Sequence, residues 1–218
     1  MVWIPGLGAV GALLPSARRC AEHTACHLLD VPGFAAPAER APTPPLVGPL
    51  ADLVANWLTG VPGSPVVLVG HSTGAQVALR AAVRNPDRVR ALVLLGMTFP
   101  PRLRRAAPML RAAAGTAVRE PVRLLGAVLP DYLRAGPLRL TRYLDSARGD
   151  HPEDVLPQVG CPVLLVAGAR DSLAPPAWIE EAAMHAPGSR TVTLPGAHGF
   201  PYSAPDATAA VVLRAARP

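Results

Sequence analysis

The sequence is most constrained by residues 70–74, which read Gly-His-Ser-Thr-Gly. An uncharged, valine-rich run at 65–69 precedes them, and a helical pattern with apolar positions at 75, 78, 79 and 82 follows them. A G-x-S-x-G sequence between a strand and a helix predicts a sharp, strained turn that exposes the serine hydroxyl. Glycines on either side would avoid Cβ collisions with the neighbouring strand and helix. We therefore predict a nucleophile at Ser72; the alternative is a serine that only caps the helix.

Runs of apolar residues of strand length alternate with helical patterns along most of the chain. We predict strands at 2–4, 25–31, 65–70, 90–95, 162–167 and 189–194. Strands that are apolar throughout and alternate with helices indicate an α/β fold, with a parallel sheet covered on both faces. The active site of such a sheet lies at the carboxyl ends of its strands.

The alternation is interrupted between residues 97 and 157, where arginines are frequent and the pattern is helical. Val118, Val122, Leu125 and Leu129 recur at helical spacing, with arginines off that stripe. We predict that 97–157 is a small helical cap inserted into a core formed by 1–96 and 158–218.

Composition narrows the function classes. The 218 residues are enough for one domain with a real core. All 21 basic residues are arginines, dispersed and without interleaved aromatics, so neither the net charge of +6 nor the pattern predicts a nucleic-acid partner. Proline and glycine break the apolar stretches, which argues against a membrane span. The three cysteines have no paired spacing, which favours a cytoplasmic protein without disulfides or a metal site, and we expect no cofactor.

A serine nucleophile needs a base to take its proton and an acid to orient that base. Two later strands are followed by suitable side chains: Asp171 comes after the strand at 162–167, and His198 after the strand at 189–194. The alternative for Asp171 is a cap of the helix beginning near Pro175, and the alternative for His198 is an ordinary loop histidine. We predict that Ser72, Asp171 and His198 are the catalytic residues.

The order Ser72, Asp171, His198 resembles that of the α/β-hydrolase superfamily, in its small capped form. The resemblance covers nearly the whole chain and is weakest across the cap. It implies a mostly parallel sheet of about six strands with helices on both faces. In some members the acid follows the strand next to the elbow helix, but residues 96–99 hold no carboxylate here.

The resemblance also implies an oxyanion hole made of two backbone N–H groups. One would belong to Thr73, the residue after the nucleophile. The other would come from the loop at 5–8, which reads Pro-Gly-Leu-Gly where the family often has His-Gly. We assign it to Leu7, with Gly8 as the rival.

Members of this superfamily usually begin with one or two strands before the oxyanion loop, and this sequence begins on that loop. The strand at 25–31 is therefore expected at an edge of the sheet, where a second copy of the chain could pair to form a homodimer. The Asp30-Val31-Pro32-Gly33 stretch resembles a structural turn of the family.

The leading interpretation is a serine hydrolase that cleaves a carboxylic ester, lactone or thioester through an acyl-enzyme. The same fold also supports C–C bond hydrolysis, acyl transfer, and elimination or cyclisation in natural-product pathways, and a non-catalytic ligand receptor is a third class. The substrate would be a small molecule, or an acyl group on an acyl carrier protein attracted by the arginine-rich cap; the alternative for those arginines is a solvated face. We predict that the substrate pocket, unless these residues are core, is lined by Met97, Phe99, Met109, Trp178 and Phe200.

Overall fold

The computed structural model describes residues 1–30, 43–61, 63 and 65–216. Its strands are β1 (Val2–Ile4), β2 (His27–Leu28), β3 (Val66–His71), β4 (Val89–Leu95), β5 (Val163–Gly168) and β6 (Arg190–Leu194). They form one sheet of six strands in the order β2-β1-β3-β4-β5-β6, and every neighbouring pair is parallel. The predicted fold class is confirmed.

Helices connect these strands. They are α1 (Leu14–Ala21), α2 (Val47–Gly60), α3 (Thr73–Arg84), α4 (Ala106–Ala117), α5 (Val122–Arg148), α6 (Pro152–Val155), α7 (Pro176–Ala183), α8 (Phe200–Ser203) and α9 (Pro205–Ala215). Short 3-10 turns at 6–8 and 10–12 join β1 to α1. Among the described helices, none combines the length and the apolar character that a membrane span requires.

The central strands are buried on both faces. In β3, Leu68 packs into a cluster with residues of α2, α3 and α7, whereas Val67 and Val69 point to the opposite face and pack with residues of α1 and α9. Because successive side chains of a strand alternate between faces, a strand covered twice has no polar face. This explains why the strands appear in the sequence as unbroken apolar runs.

The strand order reverses between β1 and β3. From β1 the chain moves outward to β2, and it then returns to place β3 on the other side of β1. Connections that leave in opposite directions open a crevice at the carboxyl ends of the two strands. The loop at 6–8 and the turn at Ser72 both lie at this crevice.

The edge strand β2 is shorter than predicted. Only His27 and Leu28 pair with β1, against a prediction of 25–31. An edge strand is paired on one side alone, so fewer backbone groups hold it in register. Pairing of a second copy along this edge stays a prediction, and residues 31–33 of the predicted turn lie outside the described part of the chain.

The segment 97–157 contains α4, α5 and α6, and its status as a separate cap stays a prediction. The single helical stripe predicted through Val118 and Val122 is wrong, since α4 ends at Ala117 and α5 begins at Val122. Pro121 explains the break, because the residue before a proline avoids helical geometry. The stripe is also not buried: Val122 is 85% exposed and Leu129 43%.

Candidate active site

The sharp turn predicted after β3 is present at Ser72. The backbone of Ser72 has φ 56° and ψ −125°, a region that residues with a side chain rarely adopt. Ser72 occupies the cap position of α3 but makes no side-chain capping bond. Its Oγ instead lies 2.8 Å from Nε2 of His198. The hydroxyl is therefore directed at a base, and not at the helix that follows.

The glycines around Ser72 allow the strand, turn and helix to approach closely. A Cβ on Gly70 would lie 2.4 Å from the carbonyl oxygen of Gly74, and a Cβ on Gly74 would lie 2.5 Å from the carbonyl oxygen of Ile4. Both distances are too short for any side chain, as predicted from the sequence. The turn is thus held between α3 on one side and β1 on the other.

A chain of hydrogen bonds joins Ser72 to a buried carboxylate. Nδ1 of His198 lies 2.7 Å from Oδ2 of Asp171, whose side chain is fully buried. The other oxygen, Oδ1, accepts the N–H groups of Leu173 and Ala174 at 2.8 and 3.0 Å. Asp171 does not cap α7, which begins after Pro175. The structure brings together the three residues predicted as catalytic.

The charged groups around His198 favour a basic imidazole. Burial alone would lower the pKa of His198, but the charge and hydrogen bond of Asp171, with a contribution from Glu120, raise it above its usual value. Burial alone would raise the pKa of Asp171, but the imidazole and the two N–H groups hold it below its usual value. Asp171 is therefore ionised beside the imidazole.

A second histidine, His71, contacts the backbone of His198. Its Nε2 lies 2.9 Å from the carbonyl oxygen of His198, and the two rings are 5.0 Å apart. Burial, together with the neighbouring imidazole, lowers the pKa of His71 to about 3, so the ring is neutral and Nε2–H donates to that carbonyl. The sequence placed His71 in the turn but carried no signal for this contact, which joins residues far apart in the chain.

The two N–H groups predicted for the oxyanion hole meet across the crevice. Thr73 is the first residue of α3, so its N–H has no acceptor within the helix. The N–H of Leu7 donates to Oγ1 of Thr73 at 2.8 Å, and the Leu7 backbone is left-handed with φ 45°. The Thr73 hydroxyl thus holds the strained loop in place. The fully buried Tyr143 of α5 interacts with Thr73 as well.

A cavity of about 540 Å³ opens onto Ser72 and His198. Its wall is mostly apolar and comes from the loop at 6–12, α4, α5 and the connection between these two helices. Phe99 and Met109 line it, as predicted. The other predicted pocket residues are Met97, Trp178 and Phe200. They lie instead in the core, because large apolar side chains next to the sheet fill the space between helix and strand.

One wall residue that the sequence analysis missed is Glu120, at the end of the α4–α5 connection. Its Oε1 accepts the N–H of Gly199 at 2.6 Å, and its Oε2 is buried and has no hydrogen-bond partner among the described residues. Burial raises the pKa of Glu120, and the Gly199 N–H and the charge of His198 act in the opposite direction. A second carboxyl group besides Asp171 therefore lies near the imidazole.

The chain is similar to a known family of proteins. A family model described as "Alpha/beta hydrolase family" matches residues 1–211. A pimeloyl-[acyl-carrier protein] methyl ester esterase of Neisseria meningitidis serogroup C is 31% identical over 179 residues, covering 70% of this chain and 68% of the relative. One of the same name from serogroup A is 30% identical over 179 residues, covering 70% of this chain and 55% of the relative. The chain therefore spans between 55 and 68% of the length of these relatives.

Among solved structures, a lipase-esterase related protein from Clostridium acetobutylicum superposes with a TM-score of 0.82. The superposition covers 98% of this chain and 93% of that protein, at 17% sequence identity. An identity this low supports the fold alone.

Proposed function

The chain belongs to the alpha/beta hydrolase family, and we propose that it hydrolyses a carboxylic ester of an aliphatic acyl group through an acyl-enzyme on Ser72. The family match confirms the superfamily and the hydrolase class predicted from the sequence. The observation that carries the proposal is the chain of hydrogen bonds from Ser72 through His198 to Asp171, which opens onto an apolar cavity.

In this proposal Oγ of Ser72 attacks the ester carbonyl while its proton passes to Nε2 of His198. Asp171 stays ionised and stabilises the imidazolium. The N–H groups of Thr73 and Leu7 donate to the oxyanion, and removal of one such donor typically costs about 3 to 4 kcal/mol in the barrier. Because Leu7 N–H is bonded to Thr73 Oγ1 in the resting structure, it must turn toward the oxyanion or share its proton between the two acceptors.

His198 then returns the proton to the leaving alcohol, and water cleaves the acyl-enzyme by the same steps in reverse. An aliphatic acyl group fits the apolar wall, which offers few polar groups besides those near the nucleophile. No step needs a metal or an organic cofactor to balance.

The test is turnover of p-nitrophenyl acetate, butyrate and octanoate by the wild type and by Ser72→Ala. We expect turnover by the wild type and a loss of at least about a thousandfold in Ser72→Ala. Binding of these esters without turnover by the wild type would contradict an esterase and favour a ligand receptor.

As a finer proposal, the ester is a methyl ester of an acyl chain on an acyl carrier protein. Both relatives carry these words in their names. Exposed arginines next to cavity-lining positions, such as Arg111 and Arg123, would attract an acidic carrier. We expect a higher kcat/KM for the carrier-bound ester than for the free methyl ester, and we expect this difference to fall as salt is added. Equal values at low salt would contradict the proposal.

The cytoplasmic location stays a prediction.

A further inference from the structure

The peptide between His198 and Gly199 is held at both ends. Its carbonyl oxygen lies 2.9 Å from Nε2 of His71, and its N–H donates to Oε1 of Glu120 at 2.6 Å. This peptide directly follows the imidazole, so its orientation controls where the ring points. His71 belongs to the core beneath the site, whereas Glu120 belongs to the α4–α5 connection above it.

The end of α4 and the connection after it also contact the loop that carries Asp171. Oγ1 of Thr116 accepts the N–H of Ser172 at 3.0 Å, and Arg119 donates to Oγ of Ser172 at 2.9 Å. Residues 116–120 thus bond to the loops of both Asp171 and His198. We call residues 116–120 the brace.

We propose that Glu120 is a positioning residue of the hydrolase, which fixes the His198–Gly199 peptide from the brace and places a negative charge beside the imidazolium formed during catalysis. This inference rests on the proposed function. Two observations carry it: the 2.6 Å bond to Gly199 N–H, and the burial of Oε2, which has no hydrogen-bond partner within the described part of the chain.

The charge would act on the pH dependence of the base. The groups that face His198 are Asp171, the neutral His71, Ser72 and Glu120, and Glu120 in turn faces Arg170. A carboxylate beside the ring stabilises the protonated form. Since Ser72 needs a neutral imidazole, loss of this charge would let the enzyme work at lower pH while weakening the base.

The test compares Glu120→Gln, Glu120→Ala and the exposed control Glu181→Gln of α7. Glutamine keeps an oxygen to accept Gly199 N–H and removes the charge. For Glu120→Gln we expect the rising limb of the profile of kcat/KM against pH to move to lower pH, with little change in Tm. Alanine also removes the acceptor, so we expect the same move and a fall in kcat of about tenfold, the size of one lost charge-assisted hydrogen bond. Glu181→Gln should overlay the wild type.

A purely structural role gives a different result. If Glu120→Gln overlays the wild-type pH profile, or if Glu120→Ala lowers Tm but keeps kcat, the proposal is overturned. An NMR titration of the His198 ring in wild type and Glu120→Gln measures the same shift without any substrate. If the wild type does not turn over esters, the proposed function fails, and the titration still decides the role of Glu120.

Discussion

At the scale of single residues, Gly6 lies against the proposed nucleophile. A Cβ built on Gly6 would lie 2.6 Å from Cβ and 3.2 Å from Oγ of Ser72, and 3.0 Å from the carbonyl oxygen of His71. Only a residue without a side chain can therefore pack this closely against Ser72. The neighbouring Leu7 donates its N–H to Oγ1 of Thr73, the residue after Ser72 in the sequence.

We expect Gly6→Ala to lower kcat/KM by at least about a hundredfold, because the methyl group displaces Ser72 or the oxyanion loop. The matched control is Gly48→Ala in α2, where no atom of residues 1–30, 43–61, 63 or 65–216 lies within 4 Å of the new Cβ. That variant should keep full activity and change the free energy of unfolding by less than about 1 kcal/mol, in the stabilising direction. Equal activity in both variants would contradict the placement of Gly6.

The pH profile depends on His198. Its pKa is raised above the usual value of 6.5, chiefly by Asp171 acting against burial, and the imidazole must be neutral to accept the Ser72 proton. We therefore expect kcat/KM to fall as pH drops through a midpoint above 6.5. His71 adds no limb between pH 5 and 9, since its pKa is about 3. A profile that stays flat down to pH 5 would be inconsistent with this assignment.

At the scale of elements, α3 ties the turn at Ser72 to the end of α5. Nε2 of Gln76 donates to the carbonyl oxygen of Ala147 at 2.8 Å, and Nε of Arg80 donates to Oδ1 of Asp150 at 2.6 Å. Asp150 is 7% exposed, and none of the residues that the structure describes forms a hydrogen bond with its Oδ2. Burial raises the pKa of Asp150, and the charge of Arg80 opposes that rise.

We expect Arg80→Ala to lower the free energy of unfolding by about 3 kcal/mol at pH 8, because the buried carboxylate loses its partner. The loss should be smaller at pH 5, since protonation of Asp150 removes the unpaired charge. Arg84→Ala is the control on the same helix: its ion pair with Asp52 is exposed and should contribute less than about 1 kcal/mol. Urea unfolding at both pH values measures these differences, and equal losses for the two variants would contradict the argument.

The core elements could be predicted from the sequence. For the segment 97–157 its helical character could be predicted, but the bounds of its helices were not. Five of the six strands lie within one residue of their predicted bounds, because a strand buried on both faces is an unbroken apolar run. The break between α4 and α5 could have been predicted from Pro121, but the helical spacing of the apolar residues was taken to continue through it. The kink within α5 at Gly136, with φ 72°, has a signal of the same kind, since Pro137 follows it, and the sequence analysis made no use of it.

At the scale of the whole molecule, the site depends on topology. Ser72 and His198 are 126 positions apart and meet because β3 and β6 end at the same edge of the sheet. Sequence order and loop position were enough to select these side chains. Thr73 Oγ1, His71 and Glu120 could not be selected in this way, since their roles lie in contacts with Leu7, His198 and Gly199 that no local pattern encodes.

The most direct test of the account is the mass of the intact protein after reaction with a fluorophosphonate. We predict one adduct on the wild type, mapped to Ser72 by peptide mass spectrometry and absent in Ser72→Ala. The control is Ser189→Ala, which should react like the wild type. The Ser189 hydroxyl donates to the backbone carbonyl oxygen of Ala183. A wild type that gains no adduct, or a Ser72→Ala variant that gains the same one, would contradict Ser72 as the nucleophile.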